Sequence, residues 1–404
     1  MYQLLTGIRV VEASSFVACP SAGLYMAQLG AEVIRIDQIG GGPDFHRWPQ
    51  DANGASLYWE GLNKGKKSVA LDLGRPEGRE VAQRLATASG PGGGCFLTNY
   101  PVAGFLSHER LRTLRADLVT VRVMGLADGG SALDYTVNCA VGVPHMTGPA
   151  SLGEQPVNHV LPAWDLLTGA YAAFALLAAA RARADDGLDR EVRVPLMDMA
   201  AATLSNLGQV AEVMLSGADR PRYGNDVFGA FGRDYVTACG SRIMLMAITP
   251  RQWSGLVEAL SIEAVVADVE AVRGISFATD EGLRFTHRDV LVPIVASAVA
   301  ARRLDALVPA FDRLGVCWGP YRSLTEALAA DGPFVAPLFA DIDHPSGHRY
   351  PAAGAPATLP AAERQAPRRA PRLGEHGEEV LADLLGMDSS EIGRLHDAGI
   401  VAFA

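Results

Sequence analysis

The chain has 404 residues, enough for two domains, and its 49% hydrophobic and 20% charged content describes a folded globular protein rather than a disordered one. A formal net charge of −10 argues against non-specific binding to nucleic acid or to an anionic membrane surface. Five cysteines, at 19, 95, 139, 239 and 317, show neither metal nor disulfide spacing, and the first ten residues lack the regions of a signal peptide, so a cytoplasmic protein without a metal is expected.

Residues 7–13 are rich in Ile and Val and predict a strand, 20–30 a helix ending at Gly30, and 31–37 a second strand. Strand, helix and strand in under 40 residues make a parallel unit, whose ligands sit beyond the C-terminal strand ends. Residues 14–19 (Ser-Ser-Phe-Val-Ala-Cys) are therefore a candidate binding edge. They contain no G-x-G-x-x-G, so the dinucleotide fingerprint is missing, and the glycine triplet at 40–42 reads as a turn before Pro43. Residues 62–68 resemble the tail of a phosphate-binding loop, but Lys67 stands where Ser or Thr belongs and a strand, 68–73, follows where a helix is required. Lysines 64, 66 and 67 are left open between a solvated turn and contact with an anionic ligand. A helix starts at Pro76, and strands are predicted at 95–100, 117–123 and 190–195. This alternation defines an α/β fold with a mostly parallel sheet.

Residues 159–181 are the centre of the chain. From 166 to 180 they are almost wholly apolar and rich in Ala and Leu, which predicts a helix buried on every side, too short to span a membrane. Asp165 falls at the expected N-cap. It reads either as a capping residue or as a nucleophile, since a carboxylate is already ionised at neutral pH and needs no general base.

Beyond it come a helix at 197–215, a turn-rich break at 220–225 and a smaller α+β region from 227 to about 316. A Pro- and Ala-dense connector at 349–372 precedes an amphipathic helix at 373–385. The expected organisation is a large domain over 1–198, a linker over 199–224, a small domain over 225–320 and a linker with C-terminal segment over 321–404. There is no H-E-x-x-H and no G-x-S-x-G; His344 and His348 enclose a turn, and Asp134 and Asp198 read as structural. Arg47, Arg222, Arg233 and Arg322 are candidates to grip a substrate carboxylate.

Several stretches follow one another in the order of the class III coenzyme A transferases: 7–12 (Gly-Ile-Arg-Val-Val-Glu), 29–37 (Leu-Gly-Ala-Glu-Val-Ile-Arg-Ile-Asp), 63–73, 75–78, Trp164-Asp165, 315–320 and 372–376. The sequence resembles that family from residue 5 to about 402. Agreement at 40–42, 47–49, 134–138, 146–149, 157–165, 219–222 and 229–234 points to a branch that moves coenzyme A between two carboxyl groups of one molecule.

The resemblance implies a Rossmann-like large domain to which the C-terminal segment returns, two subunits interlocked as a homodimer, an acyl-CoA substrate and no separate cofactor. It puts the nucleophile at Asp165. It puts the coenzyme A site at Val17, Ala18, Gln38, Leu71, Asp72, Leu73, Gly74, Asn99 and Tyr100. Gln38 and the segment 99–102 (Asn-Tyr-Pro-Val) depart from the family pattern. Arg47 is taken as the substrate-binding residue, and backbone N–H groups at the start of the central helix as oxyanion donors. Relatives that racemise 2-methylacyl thioesters carry a histidine just before the Asp134 motif. Leu133 stands there, can be neither acid nor base, and argues against racemisation. Transfer between two different acids, and a non-enzymatic nucleotide-binding module, are the alternatives.

Overall fold

The computed structural model describes residues 1–329, 332–335 and 337–404, which divide into two compact units. The first comprises Met1–Val141, His159–Leu215 and Phe334–Ala404; the second comprises Gly142–Asn158 and Ser216–Pro333.

In the first unit six strands, β1 (Arg9–Ala13), β2 (Glu32–Gln38), β3 (Lys67–Leu71), β4 (Cys95–Thr98), β5 (Val119–Met124) and β6 (Arg190–Pro195), pair in parallel in the order β3-β2-β1-β4-β5-β6. This is the doubly wound Rossmann order. Strands β1 to β5 are buried on both faces, with Val, Ile and Leu interspersed with the charged residues Glu12, Arg35, Asp37 and Arg122, all of them buried. Strand order reverses between β1 and β4, so a crevice opens beyond their C-terminal ends, where open α/β sheets bind ligands. Residues 14–17 and 99–100 occupy that position.

The central helix, Ala163–Asp186, has 24 residues and ends at Gly187 in the left-handed conformation. By length and composition alone it could cross a membrane. It is not buried on every side. Trp164, Thr168, Gly169, Ala172, Leu176 and Ala179 face inward, whereas Leu167, Tyr171 and Phe174 are exposed on this chain. Gly169 permits a close approach to the helix Ala18–Gln28: a Cβ there would lie 2.6 Å from the Ala18 carbonyl oxygen and 2.0 Å from Ser21 Oγ. That contact holds the start of the helix Ala18–Gln28 against the start of the central helix.

The expected linker, 199–224, carries the helix predicted over 197–215 as two shorter ones. Leu196–Asn206 and Gln209–Ser216 are two helices, broken at Leu207-Gly208, where Gly208 has φ +77°. The second unit carries an antiparallel sheet of β7 (Phe231–Val236), β8 (Arg242–Ala247) and β9 (Cys317–Pro320). Helices pack on it around Phe231, Trp253, Phe277, Leu291 and Phe311.

Back in the first unit, β10 (Phe339–Asp343) and β11 (Arg349–Ala353) form a hairpin with His344 and His348 flanking its turn, so the expected connector is extended only after residue 353. The helices Gly377–Leu385 and Ser389–Asp397 then lead to β12 (Val401–Ala402), which pairs antiparallel with β3 and completes a seven-stranded sheet. Residues 330, 331 and 336 of the expected C-terminal segment lie outside the described residues.

Candidate active site

Beneath the crevice lies a fully buried charge network. Arg35 donates to Glu12 Oε1 (2.8 Å), Asn63 Oδ1 (2.8 Å), Asp37 Oδ1 (3.0 Å) and the Ser14 carbonyl (3.2 Å). Lys66 Nζ donates to Glu12 Oε2 (2.9 Å) and the Pro20 carbonyl (2.7 Å), and burial brings its ammonium down to about 8. Lys67 pairs with Glu32 and Glu379. Lys66 and Lys67 are thus internal partners rather than an anion-binding turn. Buried ions persist only when paired in this way.

The network fixes the loop after β1. Phe16 has φ +69°, a conformation rare for a side chain with a Cβ. Its N–H donates to Asp44 Oδ2 at 3.2 Å, and Asp44 is itself buried 4.0 Å from Arg35. Asn99, after β4, clasps the same loop: its Oδ1 accepts from Ser15 N–H (3.2 Å) and its Nδ2 donates to the Ser15 carbonyl (2.9 Å).

A cavity of about 450 Å³ opens above this loop, lined by Phe16, Val17, Ala18, Arg47, Tyr58, Asn99, Asp134 and Asp165 among others. Four of the sequence-derived site residues besides Asp165 therefore meet it: Val17, Ala18, Asn99 and Arg47. Gln38, Asp72, Leu73, Gly74 and Tyr100 lie along the same sheet edge but do not line this cavity. Leu71 is fully buried in the core, so its side chain cannot meet a ligand.

The central helix corrects the reading of Asp165 as its cap. Pro162 holds the N-cap position, Asp165 is the third helical residue, and its carboxylate accepts no hydrogen bond among the described residues. The cap comes from Asp134, which begins the helix Asp134–Ala140. Asp134 Oδ2 accepts from the N–H groups of Trp164 (2.7 Å) and Asp165 (3.0 Å), and its Oδ1 lies 2.7 Å from His159 Nε2. One turn on, Asn138 Oδ1 accepts from Trp164 Nε1 at 3.1 Å. The motif at 134–138 and the Trp164-Asp165 pair are thus two halves of one clamp. The same geometry overturns the expectation of oxyanion donors at the helix start, because those N–H groups are already taken.

Electrostatics set Asp165 apart. Burial, helped by the negative charge of Asp134 and opposed by Arg47, raises its carboxyl from 3.8 to about 6. It remains mostly ionised at neutral pH, charged and unpartnered in a cavity, as a carboxylate nucleophile must be. Burial pushes the Tyr58 hydroxyl up to about 12, so it stays a donor.

Of the other candidate arginines, Arg222 donates to the carbonyls of His145 and Pro144, and Arg233 pairs with Asp226, all in the second unit. Asp134, read from sequence as structural, is the residue that caps the central helix, and His159, which the sequence reading gave no role, is its partner. Their signal was present, since His159 stands six residues before Asp165 in the same stretch and Asp134 heads a motif that matched as a block. Leu133 lines the cavity.

The family model for "CoA-transferase family III" matches residues 5–377. The chain belongs to CoA-transferase family III. Among curated members, 2-methylfumaryl-CoA isomerase of Chloroflexus aurantiacus is 44% identical over 405 residues, covering 100% of this chain and 98% of that protein. Succinate–glutarate CoA-transferase of Agrobacterium fabrum is 27% identical, covering 94% and 95% of the two chains. A CAIB/BAIF family protein from Brucella suis has the same fold, with a TM-score of 0.76, 24% identity and coverage of 95% and 100%. This chain is accordingly an enzyme.

Proposed function

We propose that the enzyme moves coenzyme A within one molecule, from C1 to C4 of mesaconate (2-methylfumarate), with Asp165 as the covalent carrier. The observation that carries the reading is the charged, unpartnered Asp165 carboxylate in a cavity that also holds an unpaired arginine. The 44% identity to 2-methylfumaryl-CoA isomerase supports the choice of acyl group.

Asp165 attacks the thioester carbonyl; its carboxylate oxygen bonds to the acyl carbon, and the C–S bond breaks to release coenzyme A thiolate and a mixed anhydride. The thiolate attacks the aspartyl carbonyl, giving an aspartyl thioester and mesaconate. After mesaconate turns, its other carboxylate attacks that thioester, and the reverse steps leave coenzyme A on C4 and a free Asp165. Every step exchanges one acyl acceptor for another, so electrons and protons balance without a redox group or metal.

We further propose the interlocked homodimer. Leu167, Tyr171 and Phe174 on the central helix, with Leu207, Met214 and Leu215 beyond it, form apolar surface of the kind that a second copy covers.

The test is chromatography of mesaconyl-CoA incubated with the enzyme and isotopically labelled free mesaconate. Regioisomer formed without label supports intramolecular transfer. Labelled product moves the enzyme to intermolecular transfer between two acids, and no conversion removes mesaconate as the acyl group.

A further inference from the structure

The guanidinium of Arg47 stands between two aromatic rings, 5.5 Å from the centroid of Phe16 and 5.5 Å from that of Tyr58. Cation–π contacts at this range hold an arginine side chain in place without using its N–H donors. No carboxylate among the described residues pairs with Arg47. The Tyr58 hydroxyl is buried and has no partner either. A buried hydroxyl without a partner and an exposed guanidinium without a carboxylate partner thus share the wall of the cavity that holds Asp165. Buried donors in native proteins are almost always satisfied, and one without a protein partner beside a nucleophile points to a ligand oxygen.

The backbone beneath this arrangement is strained and over-determined. Phe16 adopts φ +69°, and Asp44 and Asn99 hold the loop there through the Phe16 and Ser15 N–H groups. Strain of order 1–3 kcal/mol is retained where the geometry that it produces has a use. What it produces here is the placement of the Phe16 ring under Arg47.

We infer that Phe16, Arg47 and Tyr58 form a receptor for the non-reacting carboxylate of a short dicarboxylic acyl group. The inference rests on the reading of Asp165 as the acyl acceptor and adds which acyl groups reach it. Arg47 supplies a forked, charge-assisted pair of donors, a geometry suited to a carboxylate, and Tyr58 adds a neutral third. Because the two carboxyl groups of the diacid exchange roles during the reaction, one receptor serves both halves: it holds C4 while C1 reacts and C1 while C4 reacts. A monocarboxylic acyl group of the same length offers Arg47 no counter-charge and leaves the buried Tyr58 hydroxyl unpaired, which a site rejects strongly.

The experiment compares acylation of Asp165 by mesaconyl-CoA and by 2-methylcrotonyl-CoA, its counterpart with a methyl group in place of the free carboxylate. The aspartyl thioester is trapped with hydroxylamine and read by peptide mass, for the wild type, Arg47→Met, Arg47→Lys and Tyr58→Phe. With mesaconyl-CoA, Arg47→Met is expected to lose on the order of a hundredfold in kcat/KM, the scale for one lost site donor. Arg47→Lys recovers part of that loss and Tyr58→Phe loses less. With 2-methylcrotonyl-CoA all four proteins acylate slowly and at similar rates.

Equal losses on both substrates would make Arg47 a structural residue, and no loss on either would remove it from recognition; each outcome overturns the receptor while leaving Asp165 in place. A wild type that is never trapped at Asp165 by either thioester overturns the proposed function and the receptor with it.

Discussion

Replacing Asp165 by Asn should inactivate the enzyme and stabilise it. The amide is isosteric, and the carboxylate that it replaces accepts no hydrogen bond among the described residues, so little is lost in packing or bonding. What is removed is the cost of holding a charge in a partly desolvated place beside Asp134. Its carboxyl is raised from 3.8 to about 6, roughly two units, which at about 1.36 kcal/mol per unit gives a ceiling near 3 kcal/mol. Asp165 is half-buried rather than sealed, and solvent screening reduces this to about 1–2 kcal/mol. The sign follows from linkage. Above pH 6 both folded and unfolded chains carry the charge and the folded one bears the full penalty. Between pH 6 and about 4 the folded carboxyl protonates first and the penalty fades; below that it is gone. Urea melts of the two proteins at pH 8, 6.5 and 5 should show a gain that is largest at pH 8 and shrinks by pH 5. A gain of equal size at all three, or none at pH 8, would refute the account of why Asp165 is perturbed.

The acid limb of kcat/KM for the wild type should fall with an apparent pKa of about 6, since only ionised Asp165 attacks; among the groups around it, Arg47, Tyr58, Asp134 and His159, Asp134→Asn should move that limb to lower pH and Arg47→Met to higher pH. A limb unmoved by either variant would assign it to another group. Gly169→Ala should cost about 1–3 kcal/mol in chemical denaturation and lower kcat, because the added methyl must push the Ala18 backbone and the cavity wall with it. Phe174→Asp should shift the particle from dimer to monomer in sedimentation velocity, and a chain that is monomeric before the change would remove the interlocked assembly.

The strands were the most legible part of the chain, because both faces of a parallel sheet are buried and each strand reads as a short run such as 117–123 without needing its neighbours. Asp165 was legible as important, through its place before an apolar helix and through the family pattern, but its local role was not. It missed the cap position because the cap arrives from Asp134, some thirty residues earlier, and no pattern within one helix reveals a carboxylate supplied by another. Lys66 shows the same limit. In sequence it belongs to a polar turn; in the fold Glu12 and the Pro20 carbonyl enclose it, so its burial is set by residues distant in the chain. The central helix was expected to be sealed on every side, yet Tyr171 and Phe174 face outward, since composition records how much apolar surface must be covered and not which chain covers it.

The pairing of Asp134 with Asp165 bears on the covalent cycle as well as on the resting protein. Once Asp165 is acylated, as anhydride or as thioester, it is neutral, and its repulsion with Asp134 disappears while the cap on Trp164 stays in place. In the proposed reaction the charge passes from Asp165 to the coenzyme A thiolate or to the released mesaconate carboxylate, so the repulsion is relieved as far as those groups stand away from Asp134. A carboxylate is a good leaving group from an anhydride, and such an intermediate would ordinarily sit far uphill. Asp134 at the adjoining helix start offsets part of that cost in the proposed cycle wherever the displaced charge is carried away from it.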